Sequence, residues 1–229
     1  MWASPKLNDA DFEDQIERLD GIATRVRRGS VCICLDKETN QANGFCVLCS
    51  GWGHYYPPDR DIPDLKVIWQ GHSAQAQMEQ AGILTPGQIQ VTWPHHTPLG
   101  YGDIFVHPKA EGVESSTLLV RGEVDPDGNS LERTRFDLVT GVEQVRAGPT
   151  VYLEGVDWQL AADGRTLEWL GAAEPAAGDR YSIRYRYRVQ YIMDGAQQRE
   201  RHDDGSLPWM ATVTRLDSLT NQPGRMDGA

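Results

Sequence analysis

The chain has 229 residues, a formal net charge of −11 and a pI near 4.9, which excludes a broad phosphate-binding surface and leaves any contact with DNA local. Met1-Trp2-Ala3-Ser4-Pro5 has no basic segment leading into an apolar run, and no stretch approaches the roughly 18 apolar residues of a spanning helix. The expectation is a soluble protein of one or two domains made in a reducing cytoplasm, and its 23 glycines, 13 prolines and 7 tryptophans favour turn-rich β structure over a helical bundle.

From Asn8 to Arg28 the apolar positions Phe12, Ile16, Leu19, Ile22, Ala23 and Val26 recur at three and four, the helical period. Asn8 or Asp9 can cap the start, the acids Asp9, Asp11, Glu13 and Asp14 suit the positive end, and Arg25, Arg27 and Arg28 suit the negative end before Gly29. Residues 1–30 are therefore read as an N-terminal helix that packs on a β body or on a neighbouring subunit. Its acidic exposed face argues against a membrane role.

All four cysteines follow directly: Cys32-Ile33-Cys34, eleven residues, then Cys46-Val47-Leu48-Cys49-Ser50-Gly51-Trp52-Gly53. The Cys-x-x-Cys-x-Gly-x-Gly ending is that of a zinc knuckle, in which Gly51 and Gly53 let the chain turn back and aim backbone N–H groups at the sulfurs. Residues 31–60 are read as a zinc-knuckle segment with one structural Zn²⁺ on Cys32, Cys34, Cys46 and Cys49. In a flat strand Cys32 and Cys34 would sit too far apart to share an ion, so the chain must bend between them, and His54 or His72 is a candidate to replace a thiolate. Two disulfides are the alternative, disfavoured because nothing marks secretion. J-domain chaperones repeat the same motif several times; here it occurs once. The polar stretch from Leu35 to Gly44 is the loop the ion would close.

Tyr55-Tyr56-Pro57-Pro58-Asp59 starts a proline-interrupted boundary over 57–64, and a β-barrel or β-sandwich domain is expected over 61–216, with a flexible tail over 217–229. Short β-like runs are expected at Lys66–Gln70, Gln88–Trp93, Asp103–His107, Ser116–Gly122, Thr134–Val139, Gly141–Val145, Thr150–Leu153, Asp157–Leu160, Thr166–Leu170, Tyr181–Met193 and Trp209–Leu216. Asp125–Gly128 and Asp163-Gly164 are turns, and Ser73–Gln80 can add a helical turn or two. In the strongest strand Tyr181, Ile183, Tyr185, Tyr187, Val189 and Tyr191 share one face, while Arg184, Arg186 and Arg188 lie on the other. A nucleic-acid platform is one reading. A buried tyrosine face, with arginines paired to Glu168, Asp157 and Glu154, is preferred.

No catalytic constellation stands out. Trp93-Pro94-His95-His96-Thr97-Pro98, with Asp103 and His107 nearby, is the one candidate for a second metal or catalytic cluster, but consecutive histidines on a strand point to opposite faces. There is no nucleophile elbow, phosphate loop or His-Glu-x-x-His. Trp93, Trp158, Trp169 and Trp209, if exposed, would suit a carbohydrate-binding β-sandwich; inside strands they are core.

The order of helix, cysteine knuckle and β domain with aromatic hairpins, Tyr152-Leu153-Glu154-Gly155-Val156-Asp157-Trp158, then Thr166-Leu167-Glu168-Trp169 and Gly178-Asp179-Arg180-Tyr181, resembles virion structural proteins of tailed bacteriophages. Over residues 8–216 it looks most like the neck, or head-completion, proteins between portal and tail. The pair Cys32-x-Cys34 departs from the Cys-x-x-Cys expected there. The resemblance implies a non-enzymatic, homo-oligomeric ring component of the virion, made in the host cytoplasm, that contacts portal, adaptor or tail proteins, lines the passage of DNA without reading its sequence, and has no membrane partner. A tail or baseplate position is the alternative within the virion.

Overall fold

The computed structural model describes residues 9–36, 38–39, 41–43, 46, 48–49, 53–69, 87–124, 128, 130–171, 174–194, 197–198 and 208–217. Expectations at Ser73–Gln80, at the Asp125–Asp127 turn and over the tail from Ser218 lie outside these residues. The protein is mainly β, and the chain forms two compact units, one of residues 1–108 with 190–229 and one of residues 109–189.

The expected N-terminal helix is not what forms. A six-residue α-helix (α1), Asp9–Asp14, passes into one π-helical turn, Gln15–Asp20, and strand β1 begins at Ile22 and runs to Arg27. Over Ile22–Arg27 the helical stripe coexists with a period of two, and β-branched Ile22, Thr24 and Val26 favour the pleated form. Thr24 and Val26 are fully buried while Ala23 and Arg25 face out, so the strand pattern wins once a partner strand covers it.

The first unit adds β2 (Ser30–Val31), β3 (His54–Tyr55), β4 (Ile62–Trp69), β5 (Gln88–Trp93) and the start of β6 (Ile104–Val120). It is completed by the end of a strand over Arg180–Ile192, named β11 below, by a two-residue strand at Gln197–Gln198 and by a last strand over Trp209–Arg215. The last strand pairs with β5, β5 with β4, β4 with β1 and β1 with β6, all antiparallel. Beside β6, Met193 exchanges backbone bonds with Gly102 and Asp103, and the last strand pairs back through Thr214 and Arg215 to Ile192 and Tyr191. The order thus closes on itself, which removes the free edges of an open sheet. Ile89, Val91 and Trp93 of β5 are buried, as are Val67, Val26, Phe105, Ala211 and Val213, and the Trp93 and Phe105 rings lie 5.7 Å apart.

In the second unit β6 continues beside β11 (Arg180–Ile192), followed by β7 (Val139–Ala147) and β8 (Thr150–Tyr152), while β9 (Trp158–Leu160) and β10 (Leu167–Trp169) form a separate hairpin. The two remaining strands already described are β12 (Gln197–Gln198) and β13 (Trp209–Arg215). The Asp163-Gly164 turn forms as expected, with Asp163 Oδ1 accepting the N–H groups of Arg165 and Thr166 at 2.8 and 2.9 Å.

The alternation of β11 holds: Tyr181, Ile183, Tyr185, Tyr187, Val189 and Tyr191 are all buried, so no base can stack on that face. The expected acidic partners of the arginines are replaced. Arg184 Nε lies 2.7 Å from Glu143 of β7, Arg186 reaches Glu143 at 3.4 Å and Glu111 of β6 at 3.9 Å, and Arg188 reaches Glu111 at 3.4 Å. The reason is strand order, because β11 lies between β6 and β7, whereas Glu168 sits in the separate hairpin beside Gln159. Half exposed, these pairs contribute little each.

Two features fix this core. Gly112 of β6 lies under the Tyr187 ring, where a Cβ would come within 2.4 Å of Cζ, and Tyr187 is held there by stacking on Phe136 at 4.3 Å. Glu132 is buried and accepts from Gly122 N–H at 2.7 Å, Tyr181 O–H at 2.8 Å, Arg121 Nη1 at 2.9 Å and Trp169 Nε1 at 3.1 Å. Burial alone would raise its pKa, but the Gly122, Tyr181 and Trp169 hydrogen bonds and the Arg121 charge outweigh it and hold the carboxyl below its ordinary 4.5.

Gly112→Ala should destabilise the protein by about 1–3 kcal/mol in urea denaturation, because the ring has nowhere to go; an unchanged midpoint contradicts the packing. For Glu132 the folded pKa lies below the unfolded one, so its contribution is present above about pH 4.5 and is lost as pH falls through the lower folded value. Glu132→Gln should therefore be less stable than wild type at pH 7, and the gap should narrow on acidification; a gap independent of pH counts against an ionised Glu132.

Candidate metal centre

The pairs Ser30↔Tyr55 and Val31↔His54 of β2 and β3 close the neck of a loop that contains every cysteine. Its base is fastened within the first unit. Buried Asp103 accepts from Gly29 N–H and Gly100 N–H, each at 2.8 Å, Tyr56 O–H donates to the Gly102 carbonyl at 2.9 Å, and the Arg27 guanidinium lies 5.0 Å over the Tyr56 ring. Asp103 is thus a structural fastener here.

The chain bends after Val31 as the spacing of Cys32 and Cys34 requires, with Leu35 N–H bonded to the Cys32 carbonyl at 3.1 Å, and Cys32 N–H bonded across the neck to Gly53. Gly53 has φ +76°, and Gly51 lies outside the described residues. The four sulfurs converge. Cys32 and Cys46 Sγ are 3.6 Å apart, Cys34 and Cys49 Sγ 3.4 Å, and all four lie within 4.8 Å of one another, with no disulfide among them.

Backbone amides serve the sulfurs. Cys49 N–H, and then Leu48 N–H, hold the Cys46 thiol down at about 7 against the effect of burial. Burial pushes the Cys32, Cys34 and Cys49 thiols up, opposed by amide groups of Cys34, Asn43 and Gly53 respectively. A cluster in which each sulfur receives a backbone N–H favours thiolate at every corner once a cation offsets the repulsion. Four protein donors leave no position for a substrate, as in closed structural sites.

His54 does not join the sulfurs; its ring stands over Gly102 and 6.0 Å from the Tyr101 ring. His72 lies outside the described residues. The candidate cluster around His95 and His96, disfavoured on strand geometry, forms with another partner. His107 packs against the Trp69 ring at 4.7 Å, and Glu13 of α1 joins the two histidines instead, which sequence spacing does not reveal. Spacing also missed the apolar residues between and just before the ligands: Ile33 is 90% exposed, Leu48 57%, and Val31, which precedes Cys32, 62%.

Fold and site together define a mainly β protein with a four-thiol cluster in a loop closed by two short strands. Residues 109–216, just under half of the chain, match the model of a family described as a domain of unknown function, DUF4815. The cysteines precede the matched stretch, while Gly112, Glu132 and β11 fall inside it. No curated protein matches the chain.

Denatured without reductant, the protein should release four titratable thiols per chain to a thiol reagent. A count of zero would mean two disulfides and would contradict the sulfur geometry.

Proposed function

We propose that the chain is a non-enzymatic structural protein of a tailed-phage virion that acts in the neck between portal and tail, with Zn²⁺ on Cys32, Cys34, Cys46 and Cys49 stapling a docking loop. The observation that carries the reading is the position of Ile33 between two ligands and Leu48 between the other two, both pointing into solvent. An apolar side chain flanked by metal ligands is fixed when the ion binds, so docking it costs little further ordering entropy. Such a knob is what a subunit of a ring or connector needs to grip its neighbour.

Zinc fits the donors. A tetrahedron with Zn–S bonds of about 2.3 Å has sulfur–sulfur edges of roughly 3.8 Å, close to the 3.4 and 3.6 Å separations here. Soft thiolates select zinc over magnesium or calcium. The net charge of −11 supports a wall past which DNA slides without sticking. The carbohydrate-binding alternative loses support from the tryptophans: Trp93 and Trp158 are buried, Trp169 Nε1 donates to Glu132, and Trp209 Nε1 donates to the His95 carbonyl.

Native mass spectrometry should find zinc in the purified chain, and Cys46→Ser should lose it and disorder the loop while the strands of the first unit persist. Ile33→Asp should keep zinc and fold yet bind the portal or tail proteins of the same virion at least about tenfold more weakly. If Ile33→Asp assembles like wild type, or the wild type binds polysaccharide and no virion protein, the neck reading is abandoned; a tail or baseplate position would show as binding to tail components alone.

A further inference from the structure

We propose that Glu13, His95 and His96 form a second metal site, which takes a divalent first-row ion of borderline softness, Zn²⁺ above all, through two imidazoles and one carboxylate and leaves a further coordination position open. The site shares no residue with the cysteine cluster and does not rest on the virion reading.

The three ligand atoms lie within 4.8 Å of one another. Glu13 Oε1 contacts His95 Nδ1 directly and is 3.7 Å from His96 Nδ1. Consecutive histidines would diverge in a strand, but β5 ends at Trp93 and residues 94–97 turn, with Thr97 N–H bonded to the Pro94 carbonyl at 3.3 Å. Both rings therefore reach the same side, their centroids 5.8 Å apart and their planes at 85°, so that they meet at a point rather than stack. Indoles hold the turn: Trp93 Nε1 donates to the Thr97 carbonyl and Trp209 Nε1 to the His95 carbonyl, each at 2.9 Å. The His95 amide donates to Glu13 Oε1 at 3.3 Å, which holds the carboxylate oxygen at the centre.

One imidazole suffices for an ion pair with a carboxylate. A second imidazole, with the same ring nitrogen turned to the same oxygen, is more than that pair needs. A single divalent cation satisfies all three donors, and imidazole with carboxylate is a donor set zinc accepts. The histidine side chains are 33% and 54% exposed, so an ion enters from solvent. Glu13 lies on α1 and the histidines follow β5, so the bound ion ties the N-terminal helical segment to the turn after that strand.

The test adds Zn²⁺ to chain whose cysteine cluster already holds one equivalent and counts ions by native mass spectrometry and calorimetry at neutral pH. A second, weaker equivalent is expected, absent in His96→Ala and weakened by at least about 10- to 100-fold in Glu13→Gln; circular dichroism confirms that both variants stay folded. With Co²⁺, thiolate-to-metal charge-transfer absorption should saturate at the first equivalent, and the second should add only weak ligand-field bands. Uptake of a single ion by the wild type, unchanged second-ion affinity in both variants, or thiolate absorption growing with the second equivalent overturns the proposal.

Discussion

Among the described residues of the loop between Val31 and His54, the feature that draws its parts together is the convergence of four sulfurs. Among its described residues the buried ones are Cys32, Cys49 and Gly53, two of them members of the cluster. Ordering a backbone costs about 1–2 kcal/mol per residue, and an ion shared by four side chains is one way to offset that cost. Without a cation, burial pushes the Cys32, Cys34 and Cys49 thiols up and so favours their protonated form. A divalent ion reverses that preference, and the amides already aimed at the sulfurs strengthen the reversal. On the zinc reading proposed above, the ion orders this loop while the apolar Ile33 and Leu48 side chains face outward.

The rest of the first unit supplies a frame in which β13, β5, β4, β1, β6 and β11 close on one another. Closure of the strand order on itself fixes the rim residues, and Asp103 converts that rigidity into two hydrogen bonds that seat the base of the loop at Gly29 and Gly100. In the second unit a buried charge plays the organising role. Glu132 ties the β6 end at Arg121 and Gly122 to Trp169 of the hairpin and Tyr181 of β11, so three elements share one carboxylate. A buried ion of this kind stabilises little relative to an apolar core but penalises every arrangement that leaves it unpaired.

Local chemistry was legible in the sequence, and pairing was not. The Tyr181–Tyr191 strand could be read because strict alternation over a long run admits one period, and the cysteines because ligand spacing is itself local. The segment Ile22–Arg27 fitted two periods, and what decided between them was a neighbouring strand some forty residues away. The arginines of β11 were matched to the wrong acids because strand order carries no signature in a single chain. Glu13 and His95, 82 residues apart, meet only through the fold. The prolines around His95 and His96 were the available signal that these residues turn rather than extend, and a turn lets neighbours converge.

The central claim, that a four-thiolate ion holds the loop, is tested most directly by X-ray absorption at the zinc edge on chain carrying one equivalent. The account predicts a shell of four sulfurs at about 2.3 Å with no nitrogen or oxygen neighbour. A shell containing nitrogen or oxygen at about 2.0 Å, or protein that retains no zinc at all, would contradict it.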